Sequence, residues 1–149
     1  MAERLSADTL ARYAIQKCIN DGYPISNLQL QKILYFCQKQ YLQNTGDVLF
    51  DDEIQAWQYG PVVPAVYRTF SLWGGRKINW LSTPFDTGRV PKNMQEIVNP
   101  IIESKRVKEP WQLVSETHLP GSAWYKVYSG GSGDGKTIPI GIIRSDCVS

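Results

Sequence analysis

Apolar residues recur at helical spacing through the first third of the chain. Leu30, Ile33, Leu34, Cys37 and Tyr41 fall at i, i+3, i+4, i+7 and i+11, one face of an amphipathic helix. Ser26 and Gln29 have the spacing of a capping box, and Ile25 with Leu30 that of a hydrophobic staple. A helix is predicted over 26–43, closed by Asn44-Thr45-Gly46. Upstream, Ser6 suits an N-cap and Leu5 with Leu10 a staple, so a helix over 7–20 is predicted, with Tyr13, Ala14 and Cys18 on its apolar face. Asp21-Gly22 ends it.

The pattern then changes period. From Ile54 to Tyr59 the residues alternate, Ile54, Ala56 and Gln58 on one side and Gln55, Trp57 and Tyr59 on the other, as in a strand. Gly60-Pro61 breaks it. Pro64 fits a first helical turn, and Val63, Val66, Tyr67 and Phe70 return to helical spacing, so a helix over 62–73 is expected before Gly74-Gly75. The stretch 74–91 reads as irregular loop, pinned to the body by Trp80 and Phe85. Met94, Ile97, Val98, Ile101 and Ile102 give a helix over 93–104, with a kink or break at Pro100. Lys105 to Lys108 reads as a solvated basic helix end. A short helix over 110–118 starts at Glu109-Pro110, and Ser122 caps another holding Trp124, Val127 and Tyr128. Near the end, Pro139 and Gly141 argue against both a helix and a central strand between Ile138 and Ile143. The predicted fold is mainly α, a compact single domain over 1–149 with a minor strand or hairpin near residues 48–60.

Composition changes this picture little. The chain has 149 residues, 42% hydrophobic and 20% charged, enough for one core. A net charge of +2 demands neither nucleic acid nor an anionic membrane as partner. No apolar run spans a bilayer, and Met-Ala-Glu-Arg-Leu lacks a signal peptide's regions, so a cytoplasmic protein without membrane attachment is expected. Three widely spaced cysteines, Cys18, Cys37 and Cys147, fit neither a disulfide framework nor a zinc site. Cys18 and Cys37 lie in helical patterns and read as core thiols.

Candidate chemistry is sparse. Gly130 to Thr137 satisfies the phosphate-loop pattern G-x-x-x-x-G-K-[ST], but it lacks a strand before it and a long helix after it. His118 is the only histidine, and a general base oriented by Glu116 or Asp134 is conceivable. A structural histidine is the favoured reading, with Trp57 and Trp124 as fellow fold residues. Trp57→Ala is expected to cost about 3–5 kcal/mol if the ring lies in the core. Asp51, Asp52 and Glu53 lack the spaced ligands of a calcium loop and read as a solvated turn. No catalytic residue, metal site or cofactor is predicted. Five tryptophans and eight tyrosines without a basic stripe favour core and protein contact over base stacking.

Three pieces of the chain, in order, resemble a known family. The first is Ile25-Ser26-Asn27-Leu28-Gln29-Leu30-Gln31-Lys32-Ile33-Leu34-Tyr35. The second runs from Leu49 through Asp51-Asp52-Glu53-Ile54-Gln55-Ala56-Trp57-Gln58-Tyr59-Gly60-Pro61-Val62-Val63-Pro64 to Tyr67. The third is Thr117-His118, Ala123-Trp124, the glycine-rich loop and Ile138. Together they resemble the Panacea domain, or SocA-like antitoxin domain, of bacteria and prophages, over residues 8–143. The resemblance implies a non-enzymatic antitoxin of a toxin–antitoxin system that neutralises a cognate protein toxin by direct contact. It also implies a role as proteolytic adaptor, with a protease such as ClpXP as second partner. Contact residues expected on this basis are Tyr59, Gly60, Pro61, Val62, Val63, Tyr67, Arg68, Trp80 and Arg89. The alternatives are a nucleic-acid-binding regulator and a nucleotide-binding enzyme using the Gly130–Thr137 loop.

Overall fold

The computed structural model describes residues 4–147. Its elements are α1 (Ala7–Asp21), β1 (Ile25–Ser26), α2 (Asn27–Thr45), β2 (Gln55–Trp57), β3 (Gly60–Val62), α3 (Pro64–Thr69), β4 (Lys77–Ile78), α4 (Lys92–Lys105), α5 (Pro110–Thr117), α6 (Ala123–Tyr128) and α7 (Ile140–Arg144). The mainly helical class is as expected, with two small antiparallel pairs, β1–β4 and β2–β3.

Helix α2 is the axis of the molecule. The capping box forms: the Ser26 hydroxyl accepts from the Gln29 amide, and the Gln29 side chain accepts from the Ser26 amide. The stripe from Leu30 to Tyr41 is buried, but so is most of the rest, 14 of the helix's 19 residues in all. The predicted single apolar face is therefore too narrow. Helices α1, α4, α5 and α7 and the hairpin surround α2, so its polar side chains lie inside too. They are used against backbone: Gln38 accepts from the Leu49 amide and donates to the Phe50 carbonyl, each at 2.8 Å. Gln31 accepts from the Val63 amide at 2.9 Å, and Asn27 donates to the Tyr67 carbonyl at 3.0 Å. Buried polar groups tolerated in this way must be hydrogen-bonded, and these are.

Several local expectations are corrected. Gly60-Pro61 does not end the β structure but begins β3, which folds back through the Gln58-Tyr59 turn and pairs Ala56 with Pro61 and Trp57 with Gly60. Gly60 has φ +107°, which an L side chain rarely adopts. The expected helix over 62–73 starts later, at Pro64, and changes to a 3-10 turn at Ser71–Trp73. The stretch 74–91 is not all irregular: β4 pairs Ile78 with Ile25. Phe85 is buried as anticipated, but Trp80 is 64% exposed and pins nothing. Helix α4 runs unbroken past Pro100, whose ring faces solvent while Met94, Val98 and Ile102 pack inward. The basic run is not simply solvated, because Lys105 and Lys108 both pair with Glu116 and Arg106 pairs with Asp21. Pro139 does not prevent a helix: it sits before the first turn of α7, where no amide hydrogen is needed.

The last described residues are locked to α2. Asp146 is buried and accepts from the Tyr35 hydroxyl and, at 3.2 Å, from the Ala123 amide, and its carboxylate lies 3.8 Å from the Lys39 ammonium. Gln43 donates to the Asp146 carbonyl at 2.7 Å. Cys18 and Cys37 are buried free thiols. No helix among the described residues is long and apolar enough to cross a membrane.

Candidate functional site

The hairpin β2–β3 is held on every side. On its outer edge, the Lys32 ammonium donates to the Pro61 carbonyl at 3.0 Å, and Gln31 takes the Val63 amide. On the other edge, the tail of the glycine-rich loop pairs with β2: Ala56 donates to Lys136, Gly135 to Ala56, and Ile138 to Ile54. Behind it, the Trp124 indole donates to the Trp57 carbonyl at 2.7 Å. Trp124 is itself the middle of a stack, His118 on one face at 3.7 Å and Tyr128 on the other at 4.6 Å between ring centres. No backbone edge of the hairpin is left open to add a strand.

What the hairpin presents is its front. A cleft of about 530 Å³ opens between α2 and the hairpin. Trp57, Tyr59 and Tyr67 form its aromatic wall, Leu28 and Val62 its apolar floor, and Gln55, Gln58, Asp134 and Gly135 its polar margin. Trp57 stacks edge-on against Tyr67 with ring centres 5.3 Å apart, and Tyr59 against Trp111 at 5.1 Å. Tyr59 is 48% exposed and Trp111 59%, so the aromatic surface continues past the cleft onto α5. Large, preordered aromatic rings with little rotamer entropy to lose are the usual anchors of protein interfaces.

Lys32 also lines this cleft, fully buried on α2. Burial pulls its pKa down from 10.5 to about 7. The Lys32 ammonium lies close to Gly60: a Cβ at that position would come within 3.1 Å of Nζ and 2.7 Å of the Thr117 hydroxyl. The charge reaches His118 as well. His118 is held below its ordinary pKa by burial first and by Lys32 second, and its Nε2 is buried without a hydrogen-bond partner.

Of the contact residues expected from sequence, Tyr59, Val62 and Tyr67 line the cleft. Gly60, Pro61 and Val63 are buried and shape it from behind. Arg68 lies by a separate depression with Asp52 and Glu53. Trp80 and Arg89 do not line the cleft; Arg89 covers the Phe85 ring at 4.9 Å. Trp57, read as a fold residue, is half-buried and belongs to the cleft wall. Lys32 and Trp111 were missed. The available signal for Lys32 was its place beside Gln31 in a helix whose polar positions at Asn27, Gln31 and Gln38 repeat at helical spacing without being charged.

The other candidate motifs have structural partners. The glycine-rich loop follows α6 and leads into a bridge between Thr137 and Gln55, so no strand or long helix flanks it. Gly133 sits where a Cβ would lie 1.7 Å from the Val127 carbonyl oxygen, so that glycine serves close packing on α6. Asp51 pairs with Arg4 at 2.7 Å, Asp52 accepts from the Ala7 amide at 2.9 Å, and Glu53 accepts from Thr137. Glu116 is engaged by two lysines rather than by His118. No group of three or more His, Cys, Asp or Glu among the described residues could hold a metal ion.

A helical fold with an aromatic hairpin clasped by α2 is thus the core of the chain. The antitoxin SocA-like, Panacea domain family matches residues 30–125, a span that runs from α2 through the hairpin into α6, and the chain belongs to this family. It is also similar to the protein named Antitoxin SocA of Caulobacter vibrioides (strain NA1000 / CB15N): 29% identical over 155 residues, covering 98% of this chain and 81% of that protein. No solved structure matches it.

Proposed function

We propose that this chain is an antitoxin that silences a cognate protein toxin in the cytoplasm by direct binding, with the aromatic cleft as the contact surface. The observation that carries this is the exposure of Tyr59, Tyr67 and Trp111 around an open cleft in a member of an antitoxin family. Folded proteins seldom leave such rings in one exposed group without a partner. The rigidity of the hairpin supports the reading, since a surface already ordered loses little entropy on binding.

The test is co-expression with the adjacent open reading frame. That frame should arrest growth alone and be tolerated with this protein. The double variant Tyr59→Ala/Tyr67→Ala should remain folded by circular dichroism yet lose protection and lose the toxin in a pull-down. Protection by the variant at wild-type level would place the contact elsewhere. A toxin that disappears when the antitoxin is present, and persists in a host lacking ClpXP, would mark delivery to a protease. A toxin that persists inactive in a stable complex marks neutralisation by contact alone.

A further inference from the structure

Lys32 differs from the other shielded cations of the chain. Lys17 pairs with Asp21 and Glu103, Lys39 with Asp146, Lys105 with Glu116 and Arg106 with Asp21. Lys32 is the most buried of them, yet no ion pair among the described residues includes it. Among the described residues it has one hydrogen bond, to the Pro61 carbonyl, although an ammonium carries three donors. The cleft's own acid, Asp134, is exposed on the loop and does not pair with it. A buried charge without a counter-ion is expensive, and its position in the wall of an open aromatic cleft shows where a counter-ion would enter.

We infer that Lys32 marks a carboxylate subsite: the cleft takes one Asp or Glu side chain of the partner protein, with the apolar residues beside it against Trp57 and Tyr67. This rests on the reading of the cleft as the partner-binding surface. In the free protein the ammonium stays withdrawn against Pro61. Its flexible four-carbon stem lets it swing toward the cleft when an acid is present, exchanging one carbonyl acceptor for a charged one. Charge selects the occupant: Lys32 stands in no ion pair among the described residues, and the cleft's own acid, Asp134, is exposed at its margin, so an acidic side chain gains at Lys32 where a basic one would be repelled.

The test needs no toxin. A random heptapeptide display library is selected on the immobilised full chain. Enriched peptides should share one Asp or Glu flanked by apolar residues. Replacing that acid by its amide should weaken binding by about 30-fold or more, the lower range for losing one partner of a buried charge pair. Lys32→Met should bind the acid and amide peptides alike, and Tyr67→Ala should weaken both. Should Lys32→Met fail to fold, the acid-to-amide comparison on the unaltered chain stands. The Lys32 Cε resonance then reports the same contact, its titration moving to higher pH with the acidic peptide and not with its amide. Enrichment without a shared acid, an acid preference that survives Lys32→Met, or no enrichment at all would overturn the subsite. Neutralisation in the co-expression assay by a chain showing no acid preference would sink the subsite alone. Acid-selective peptides with no toxic neighbour would sink the antitoxin reading alone.

Discussion

Replacing Lys32 by methionine should make the protein more stable, and by an amount that depends on pH. Methionine keeps the length and most of the volume of the lysine stem while removing the ammonium. In the folded chain the Lys32 pKa falls from 10.5 to about 7 because the side chain is buried. The unfolded chain therefore holds this proton at pH values where the native chain has released it. Between about pH 7 and 10.5 the unfolded state binds more protons, so stability rises with pH across that window. Below pH 7 both states are protonated and the full penalty remains, about 4–5 kcal/mol. Methionine removes that penalty but leaves the Pro61 carbonyl without its donor, a loss of about 1–2 kcal/mol. The net gain at pH 6 is about 2–4 kcal/mol, closing toward zero near pH 9.5, where the lysine is already neutral in the fold. Denaturant unfolding of both proteins at pH 6, 7.5 and 9 reads this directly. One other titrating group feels the lysine: His118, which the variant should bring closer to its ordinary pKa. A variant less stable than the parent at pH 6, or a difference that does not change with pH, would refute the account of Lys32 as an unpaired buried cation.

Gly60→Ala should destabilise by about 3 kcal/mol, since the new Cβ combines a left-handed backbone with a 2.7 Å approach to Thr117, and thermal unfolding should show it. Asp146→Ala should cost about 3–5 kcal/mol in denaturant unfolding, because Tyr35 and Ala123 lose an acceptor and Lys39 loses an ion-pair partner inside the fold. Trp57→Ala should cost only about 2 kcal/mol, less than a core tryptophan, because the ring is half-buried, and should abolish neutralisation although the variant remains folded. Acidification just below pH 6.5 should lower stability, because burial and then the charge of Lys32 hold His118 below its ordinary pKa and the unfolded chain takes up that proton first; His118→Phe should flatten this part of the curve.

Local signals were legible wherever one residue pattern has one cheap structural solution. The capping box at Ser26 and Gln29, the caps at Ser6 and Ser122 and the stripe from Leu30 to Tyr41 appear as read. Failures came where tertiary partners decide. A helix's polar positions do not reveal whether they meet water or another backbone, so the second, buried side of α2 stayed hidden. Pro61 reads as a breaker because it cannot donate to a ladder, yet on β3 the position facing α2 needs only an acceptor, and Lys32 supplies the donor. Trp80 and Trp111 are indistinguishable by sequence from core aromatics, and only packing shows that both are mostly exposed. The same holds for the cleft: Tyr59 and Tyr67 were legible as an aromatic corner, but Lys32, 27 residues before Tyr59 in the chain, joins them only through the fold.

The placement of buried polar groups on α2 separates structure from function within one helix. Asn27, Gln31 and Gln38 each meet backbone groups at the hairpin, α3 or the Leu49–Phe50 segment, using neutral amides whose hydrogen bonds offset their burial. An amide at position 32 could in principle satisfy the Pro61 carbonyl in the same way without burying a charge. A lysine there is the more costly solution for stability, since it adds desolvation that the carbonyl alone does not repay. What the charge adds is a field at the cleft, beside aromatic rings borne on a hairpin whose backbone Trp124 and the loop hold from behind. That is the arrangement expected where stability is traded for recognition, and under the proposed carboxylate subsite the demand for Lys32 comes from the partner rather than from the core.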